Sequence, residues 1–253
     1  MSITVNEICR YPVKGLNADR LDRVTLAPGE GLPHDRRFAI AHGSMQFDPK
    51  NPTWQPKTNF LMLMRDEKLA QLDARFDAEA GTLTIERDGK QVVRAEIASS
   101  LGKALIGQFF AGFMGDGLRG APKVLEAEGH MFSDCRDKVV SIIGLASVRD
   151  LERVVRQPVD PQRFRGNLYI EGSGAWQEFE WIGRELAIGQ ARLKVEEPIE
   201  RCAATNVDPK SAARDMNLPL SLQRGFGHVH MGIYARVTKG GDIATGDTLE
   251  LLS

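Results

Sequence analysis

The chain has 253 residues, of which 42% are hydrophobic and 26% are charged, a composition typical of globular proteins with one large or two ordinary domains. Its formal net charge of −1 argues against a basic nucleic-acid-binding surface, and it lacks the run of about 18 apolar residues that a membrane span requires. Its three cysteines lie far apart without a C-x-x-C pair, which favours a reducing cytoplasm and indicates no disulfide framework, structural zinc site or iron–sulfur cluster.

The amino-terminal segment predicts a strand followed by a turn. It lacks a basic region followed by an apolar core, so we expect no secretory signal. Residues 3–11 alternate apolar and polar side chains, as a half-buried strand does. Pro12 and Gly15 then mark a turn that carries Lys14. Further short strands are predicted over residues 21–26 and 37–41.

The middle of the chain combines loop, hairpin and helix signals. Residues 42–59 hold three prolines and are predicted to form an irregular loop. Strand signals recur over residues 69–97, with Asp88 and Gly89 at a tight hairpin turn. A further turn is predicted at Gly81.

A helix is predicted from Ser99 or Ser100, either of which can cap its amino terminus, to about Met114. Its apolar stripe, spaced at four residues, is predicted to be Leu101, Leu105, Phe109 and Phe113. Residues 115–122 are rich in glycine and include a proline, which is typical of a linker. We therefore place a domain boundary near residue 120.

The second half again alternates short strands with few helices. A strand is predicted around residues 124–126, and Ser147 is predicted to cap a helix. The apolar face of that helix is predicted to be Val148, Leu151, Val154 and Val155. The remaining strands are predicted over residues 168–170, 185–188, 191–195, 231–237 and 248–252. We predict a mainly β protein of the α+β class, with two β-barrel-like domains over residues 1–120 and 121–253.

The first candidate for chemistry is Cys202, which follows Arg201 in a loop-like stretch over residues 198–209. A thiolate is the reactive and metal-binding form of cysteine, and an adjacent guanidinium favours that charged form. The structural alternative is that Cys202 packs as a small buried hydrophobe, as free cysteines commonly do.

A second cluster lies about 35 residues upstream of the cysteine. Residues 163–167 read Arg-Phe-Arg-Gly-Asn and supply two guanidiniums and an amide. Guanidinium groups bind phosphate and carboxylate oxygens in a bidentate manner. If the two loops converge, they form an anion pocket that contains a thiolate.

Four stretches in the second half resemble the MOSC family, which is named for the carboxy-terminal part of molybdenum cofactor sulfurases. They are residues 132–134, residues 163–167, residues 200–209 and the pair Gly246-Asp247. The first half resembles the β-barrel domain that precedes MOSC in many members, through residues 11–15 and the pair Asp35-Arg36. The resemblance covers essentially the whole chain and implies a MOSC barrel over residues 121–253.

The resemblance implies a molybdenum cofactor (molybdopterin) site, as in relatives similar to the amidoxime-reducing component of mitochondria. Cys202 would be the catalytic residue that ligates molybdenum, while Lys14 and Arg36 would bind the pterin phosphate from the first domain. From the second domain, phosphate or pterin contacts would come from Arg165, Asn167 and Arg201. Gly15, through its backbone N–H, and Thr205, in the cysteine loop, complete the set of cofactor-binding residues.

Two positions depart from the family pattern. Gly166 stands where the family usually has proline, and Gly15 stands where several cofactor-binding relatives carry serine. The chain also lacks the sulfurases' desulfurase portion, so it indicates no pyridoxal phosphate site.

The resulting hypothesis is a cytoplasmic oxidoreductase that reduces N-hydroxylated or related N-oxygenated small molecules. The chain carries no flavin or ferredoxin signature, so electrons would come from an external electron-transfer protein. One alternative is a sulfur carrier that forms a persulfide on Cys202 for delivery to metal–sulfur centres. Another is a non-enzymatic module that binds the cofactor.

Other residues have weaker claims. His228 and His230 lie two apart, as a metal pair on a strand would, but no third ligand is evident and a polar sheet face is favoured. Asp134 fits either a pterin amine or an Asx turn. The remaining candidates are assigned mainly to packing: Cys9, Cys135, Trp176 and Trp181.

Overall fold

The computed structural model describes residues 2–252. The strands in chain order are β1 (Ile3–Arg10), β2 (Asp19–Leu21), β3 (Arg23–Leu26), β4 (Ala39–Ala41), β5 (Leu72–Asp77), β6 (Thr82–Arg87), β7 (Lys90–Glu96), β8 (Lys123–Leu125), β9 (Val140–Gly144), β10 (Leu168–Glu171), β11 (Glu185–Ile188), β12 (Ala191–Glu200), β13 (His230–Lys239), β14 (Gly241–Ala244) and β15 (Thr248–Leu251). The α-helices are α1 (Ser100–Met114), α2 (Leu145–Val155) and α3 (Leu218–Phe226). Within residues 2–252, no helix combines the length and apolarity needed to cross a membrane.

Seven strands close into a β-barrel. Their order around the ring is β10-β9-β13-β12-β11-β15-β1, and β1 pairs with β10 to complete it. Neighbours are antiparallel except β9 and β10, which run parallel and are joined through α2, because a parallel pair requires a crossover connection. The prediction of a mainly β, α+β protein with a barrel in the second half is confirmed.

The interior of the barrel is filled by alternate residues of its strands. Val5 and Ile8 of β1, Ile142 of β9, and Leu193 and Val195 of β12 are each at most 1% exposed and belong to one apolar cluster. Alternation follows from the two-residue period of a strand. Burying each such side chain stabilises the fold by about 1.5–3 kcal/mol.

The first half of the chain builds a second apolar core outside the barrel. Strands β5, β6 and β7 form an antiparallel sheet, and Ile85 of β6 packs in one cluster with Ile106 and Phe110 of α1. Strands β4 and β8 form a separate two-stranded sheet, as do β3 and β14; neither pair is hydrogen-bonded to the β5–β7 sheet. Within residues 2–252 the hydrogen-bonded sheets include one closed barrel. The expectation of two barrel-like domains stays a prediction.

Strand pairing crosses residue 120 in both directions. Strand β1 lies in the barrel formed otherwise by the second half, while β8 of the second half pairs with β4 of the first. The proposed division into residues 1–120 and 121–253 stays a prediction.

Two local predictions for the helices were wrong. Leu101 and Leu105 are 70% and 44% exposed, because α1 buries the next stripe along, which includes Gly102, Ile106 and Phe110. Helix α2 begins one turn earlier than expected. Ser147 lies inside it, fully buried, and donates to Glu178 instead of capping the helix.

Candidate functional site

A cavity of about 310 Å³ lies between the first-half loops and one end of the barrel, at the lower end of the range typical of small-molecule sites. The eight residues singled out from the sequence all line it: Lys14, Gly15, Arg36, Arg165, Asn167, Arg201, Cys202 and Thr205. The structure thus brings the two sequence clusters and the first-half loops together. That these residues bind a cofactor stays a prediction.

The loop after β1 carries Lys14 and Gly15 to the cavity. Val13 forms a parallel bridge with Phe38, and Lys14 donates through its backbone N–H to the Phe38 carbonyl at 2.8 Å. Gly15 has φ +86°, and a Cβ there would lie 2.9 Å from the Leu61 carbonyl oxygen. Only glycine suits this conformation and close approach.

Lys14 and Asp134 form an ion pair on the cavity wall, in which the lysine is buried and the aspartate is half exposed. The Lys14 ammonium also donates to the Phe132 carbonyl at 3.0 Å. Burial lowers the pKa of Lys14, and Asp134 opposes that shift. Although burial opposes ionisation of Asp134, Lys14 and then Lys57 hold the pKa of this carboxyl below its usual value. Asp134 therefore neutralises much of the positive charge of Lys14.

Tyr11 holds two of the predicted arginines. The guanidinium carbons of Arg36 and Arg165 lie 4.4 Å and 4.3 Å from the centroid of its ring. The Arg36 guanidinium also pairs with Asp35 and donates to the Arg165 carbonyl at 3.0 Å. Both arginines have left-handed backbones, with φ of 48° and 50°, a conformation found in strained functional loops.

Arg165 and Arg201 are the cavity's guanidiniums without a carboxylate partner within residues 2–252. Arg201 is fixed by backbone carbonyls: Nε donates to Met231 at 2.9 Å and Nη1 to Phe164 at 2.8 Å. Burial lowers the pKa of both arginines, yet arginine remains charged in proteins. Two uncompensated positive charges therefore face the cavity and favour an anionic ligand.

Cys202 and Thr205 lie in one turn at the end of β12. The Cys202 carbonyl accepts from the Thr205 N–H at 3.1 Å and from its hydroxyl at 3.0 Å. Thr205 is 4% exposed, so its hydroxyl closes this turn. Cys202 is half-buried and free of disulfide bonding, which leaves its side chain at the cavity wall.

Arg163 and Asn167 are committed to protein contacts. The buried Arg163 donates to Asp208 at 2.9 Å and to Asp215 at 2.8 Å, which fastens both ends of the segment that follows the cysteine turn. The Asn167 amide accepts from the Ser141 hydroxyl at 2.8 Å and donates to the Cys9 carbonyl at 3.1 Å. These contacts make both side chains braces of the cavity wall.

Unlike Asp134, the remaining weaker candidates lie away from the cavity lining: Cys9, Cys135, Trp176, Trp181, His228 and His230. Cys9 is fully buried, and burial raises the pKa of its thiol to about 12. Burial also raises the pKa of Cys135. His228 packs edge-on against Trp176, with ring centroids 5.2 Å apart, and burial lowers its pKa. Within the described chain, no group of three histidine, cysteine or carboxylate side chains is placed to hold a metal.

Comparison with known proteins identifies the family. Residues 127–250 match the family described as the MOSC domain. This part of the chain is a MOSC domain. Strand β1 lies outside the matched residues and completes the MOSC barrel from the first half.

The chain is similar over 128 residues to mitochondrial amidoxime reducing component 2 of Bos taurus, with 30% identity over 46% of this chain and 37% of that protein. It is 24% identical to the molybdenum cofactor sulfurase of Drosophila willistoni over 97% of this chain and 34% of that protein. The aligned regions thus span about a third of these relatives. The crystal structure of the YUAD protein from Bacillus subtilis matches with a TM-score of 0.47 and 14% identity, covering 99% of this chain and 96% of that one.

The glycine at position 166 of the MOSC domain has a structural reason. Its N–H donates to the Tyr169 hydroxyl at 2.9 Å, which proline could not do. A Cβ there would also lie 2.4 Å from the Ile143 side chain. Tyr169 and Ile143 therefore explain why glycine, and not the family's usual proline, stands at this position.

Sequence reasoning missed four residues of this region: Tyr11, Lys57, Arg214 and Tyr234. Lys57 and Tyr234 line the cavity, and Arg214 bonds the carbonyl of Ala203, next to Cys202. Only Tyr11 had a signal, since it begins the stretch over residues 11–15. The others come from segments whose proximity depends on the tertiary fold.

Proposed function

We propose that the chain binds the molybdenum cofactor in this cavity, with Cys202 as the protein ligand of molybdenum. The observation that carries the proposal is that one half-buried thiol lines the same cavity as Arg165 and Arg201, which have no carboxylate partner among residues 2–252. A soft thiolate suits molybdenum, and guanidiniums suit the pterin phosphate. The MOSC family and the names of the two relatives agree with this assignment.

The residues present fit the cofactor, but they divide the work differently from the expectation. Arg165 and Arg201 would hold the anionic group, helped by the Gly15 N–H, which has no acceptor within residues 2–252. Lys14 and Arg36 are already paired with Asp134 and Asp35. These two ion pairs would contribute to the electrostatic potential around the anionic group. Asn167 and Thr205 would keep the two loops in place.

The reaction that we propose is reduction of N-hydroxylated or related N-oxygenated small molecules. When bound, the cofactor would supply the redox chemistry of the reduction. The chain's residues would bind, orient and exclude water, while an external electron-transfer protein would supply electrons. We place the protein in the cytoplasm, because its three cysteines are free thiols.

Metal and pterin analysis tests the binding proposal. Protein expressed in cells that make the cofactor should contain about one molybdenum and one pterin per chain, because a single thiolate serves as the protein ligand. Cys202→Ala should lose the metal, while Cys135→Ser, the matched control, should keep it. Wild-type protein with neither component, from cells that load a known molybdenum enzyme, would contradict the proposal. Stoichiometric cofactor without turnover would favour a non-enzymatic binding module.

A second candidate function is sulfur carriage. The sulfurase relative aligns with 97% of this chain, and Cys202 is a half-buried free thiol. The Cys202 thiolate would attack the terminal sulfur of an external persulfide donor, which leaves as its thiol, and then hold that sulfur as a persulfide. A mass increase of one sulfur atom on Cys202, without bound pterin, would favour this function.

A further inference from the structure

Arg214 connects two separate segments at the edge of the cavity. Its Nη2 donates to the Met64 carbonyl at 2.8 Å and to the Leu63 carbonyl at 3.1 Å. The same nitrogen contacts the Glu67 carboxylate at 3.0 Å. Its Nη1 donates to the Ala203 carbonyl at 3.3 Å. One guanidinium therefore joins a first-half segment to the residue that follows Cys202.

The segment that follows the cysteine turn holds Arg214 in this position. Val207 and Arg214 form an antiparallel bridge, and the Asp208 N–H donates to the Ala213 carbonyl at 2.8 Å. Arg163 donates to the carboxylates of Asp208 and Asp215, one near each end of this hairpin. Arg214 thus stands on a braced hairpin, so its contacts constrain the segments that they join.

The first-half segment presents apolar side chains to the same cavity as Cys202. Met62, Leu63 and Met64 all line it. The Asp66 carboxylate accepts from the Met62 N–H at 3.1 Å, and the Asp66 N–H donates to the Met62 carbonyl at 2.8 Å. The segment is therefore fixed at one end by its own turn and at the other by Arg214.

We propose that Arg214 is a positioning residue that fastens the Met62–Met64 segment to the cysteine turn and so sets the width of the opening beside the Cys202 thiol. The consequence is size selection. Small molecules reach the Cys202 thiol, and bulky ones are blocked by the Met62–Met64 segment. The importance of this opening for a substrate rests on the proposed function. The positioning itself is a property of the chain.

Thiol alkylation tests the proposal without activity or cofactor. In a Cys135→Ser background Cys202 is the accessible thiol, since Cys9 is fully buried with a pKa of about 12. The alkylation rate of Cys202 is measured with iodoacetamide, a small reagent, and with N-benzylmaleimide, a bulky one. Arg214→Gln should raise the bulky-to-small rate ratio several-fold. The matched control is Arg224→Gln, which alters an exposed arginine of α3 and should leave the ratio unchanged.

An unchanged ratio in folded Arg214→Gln protein would overturn the proposal, and so would an equal rise in both rates. If Arg214→Gln does not fold, Glu67→Gln removes the charge of the ion pair between Glu67 and Arg214 and keeps the arginine. Glu67→Gln should raise the bulky-to-small rate ratio by a smaller factor. An unchanged ratio in this variant would equally refute the positioning role of Arg214. Alkylation is measured on protein from cells that do not make the cofactor, because bound molybdenum would occupy the Cys202 thiol. The molybdenum and pterin content of wild-type protein from cofactor-producing cells tests the proposed function separately.

Discussion

Tyr11 organises the charge of the cavity through its ring. The guanidiniums of Arg36 and Arg165 both lie against it, within 4.4 Å of the ring centroid. Its hydroxyl bonds elsewhere: it lies 3.1 Å from Gln162 Oε1, to which it donates, and 3.3 Å from the Gly166 carbonyl. The ring and the hydroxyl therefore have separable roles, one in holding the arginines and one in anchoring the loop.

Substitution of Tyr11 separates these roles. Tyr11→Phe keeps the ring and should cost about 1 kcal/mol of unfolding free energy, through the lost hydrogen bond, while cofactor content stays near that of the wild type. Tyr11→Leu removes cation–π contacts worth about 0.5–2 kcal/mol each and should lose most of the bound pterin. Urea unfolding and pterin content are the measurements. Equal pterin loss in both variants would assign the effect to the hydroxyl.

Gly15 is required by backbone geometry at the cavity. With φ +86° and the Leu61 carbonyl 2.9 Å from an added Cβ, a side chain at this position is strained. Gly15→Ser should therefore destabilise the chain by about 1–2 kcal/mol, although serine would add a hydroxyl donor. Thermal or urea unfolding checks this. Unchanged stability would mean that the loop relaxes without cost.

At the scale of elements, a carboxyl from a distant segment is buried at the amino-terminal turn of α2. Glu178 is fully buried beside Gly144, the residue that precedes the helix, and accepts from the Ser147 hydroxyl at 2.7 Å. A Cβ at position 144 would lie 2.9 Å from the Glu178 oxygens. Gly144 thus stands at the N-cap position, and Ser147 lies inside the helix with its hydroxyl bonded to Glu178, so the prediction that Ser147 caps the helix was wrong.

The Glu178 carboxyl makes the stability of the fold depend on pH. Burial raises its pKa above the usual 4.5, so its contribution to folding is complete below 4.5 and declines as the pH rises through the folded-state pKa. Glu178→Gln removes this titration. The unfolding free energy of the wild type relative to the variant should therefore fall as the pH rises above 4.5. Urea unfolding across that range measures the difference, and a difference that rises or stays flat would contradict the assignment.

Local sequence signals predicted elements better than the faces that the elements bury. Asp88 and Gly89 both have positive φ in the hairpin between β6 and β7, as the turn prediction requires. Helix α1 begins after Ser99, which caps it as expected. Its buried stripe could not be predicted, because Gly102 sits where a Cβ would lie 1.8 Å from the Glu96 carbonyl oxygen. Glycine on the packed face brings the backbone close, and no hydrophobic pattern records that.

At the scale of the whole molecule, sequence motifs identified residues that line one cavity, but they did not identify the residues that support them. The loops that carry Lys14, Arg36, Arg165 and Cys202 were recognised by their motifs, and all of them reach one cavity. The partners that neutralise or brace them come from distant positions, such as Asp134 for Lys14 and Arg214 for the cysteine turn. Such pairings depend on the barrel's strand order, which short motifs do not specify.

Strand β1 makes the two halves of the chain interdependent. It pairs with β10 on one side and β15 on the other, so the MOSC barrel contains a first-half strand. A fragment of residues 121–253 would lack that strand and expose two unpaired edges, which favours aggregation.

We predict that this fragment does not fold to a stable monomer, measured by circular dichroism, urea unfolding and size-exclusion chromatography. The matched control is a circular permutant that starts at residue 121 and joins the native termini with a short flexible linker. It keeps every strand, and the join is feasible because Ile3 pairs with Leu249, which brings the chain ends close. The permutant should fold and unfold cooperatively. A monomeric fragment with cooperative unfolding would show that the barrel closes without β1, and residue 120 would then be a true domain boundary.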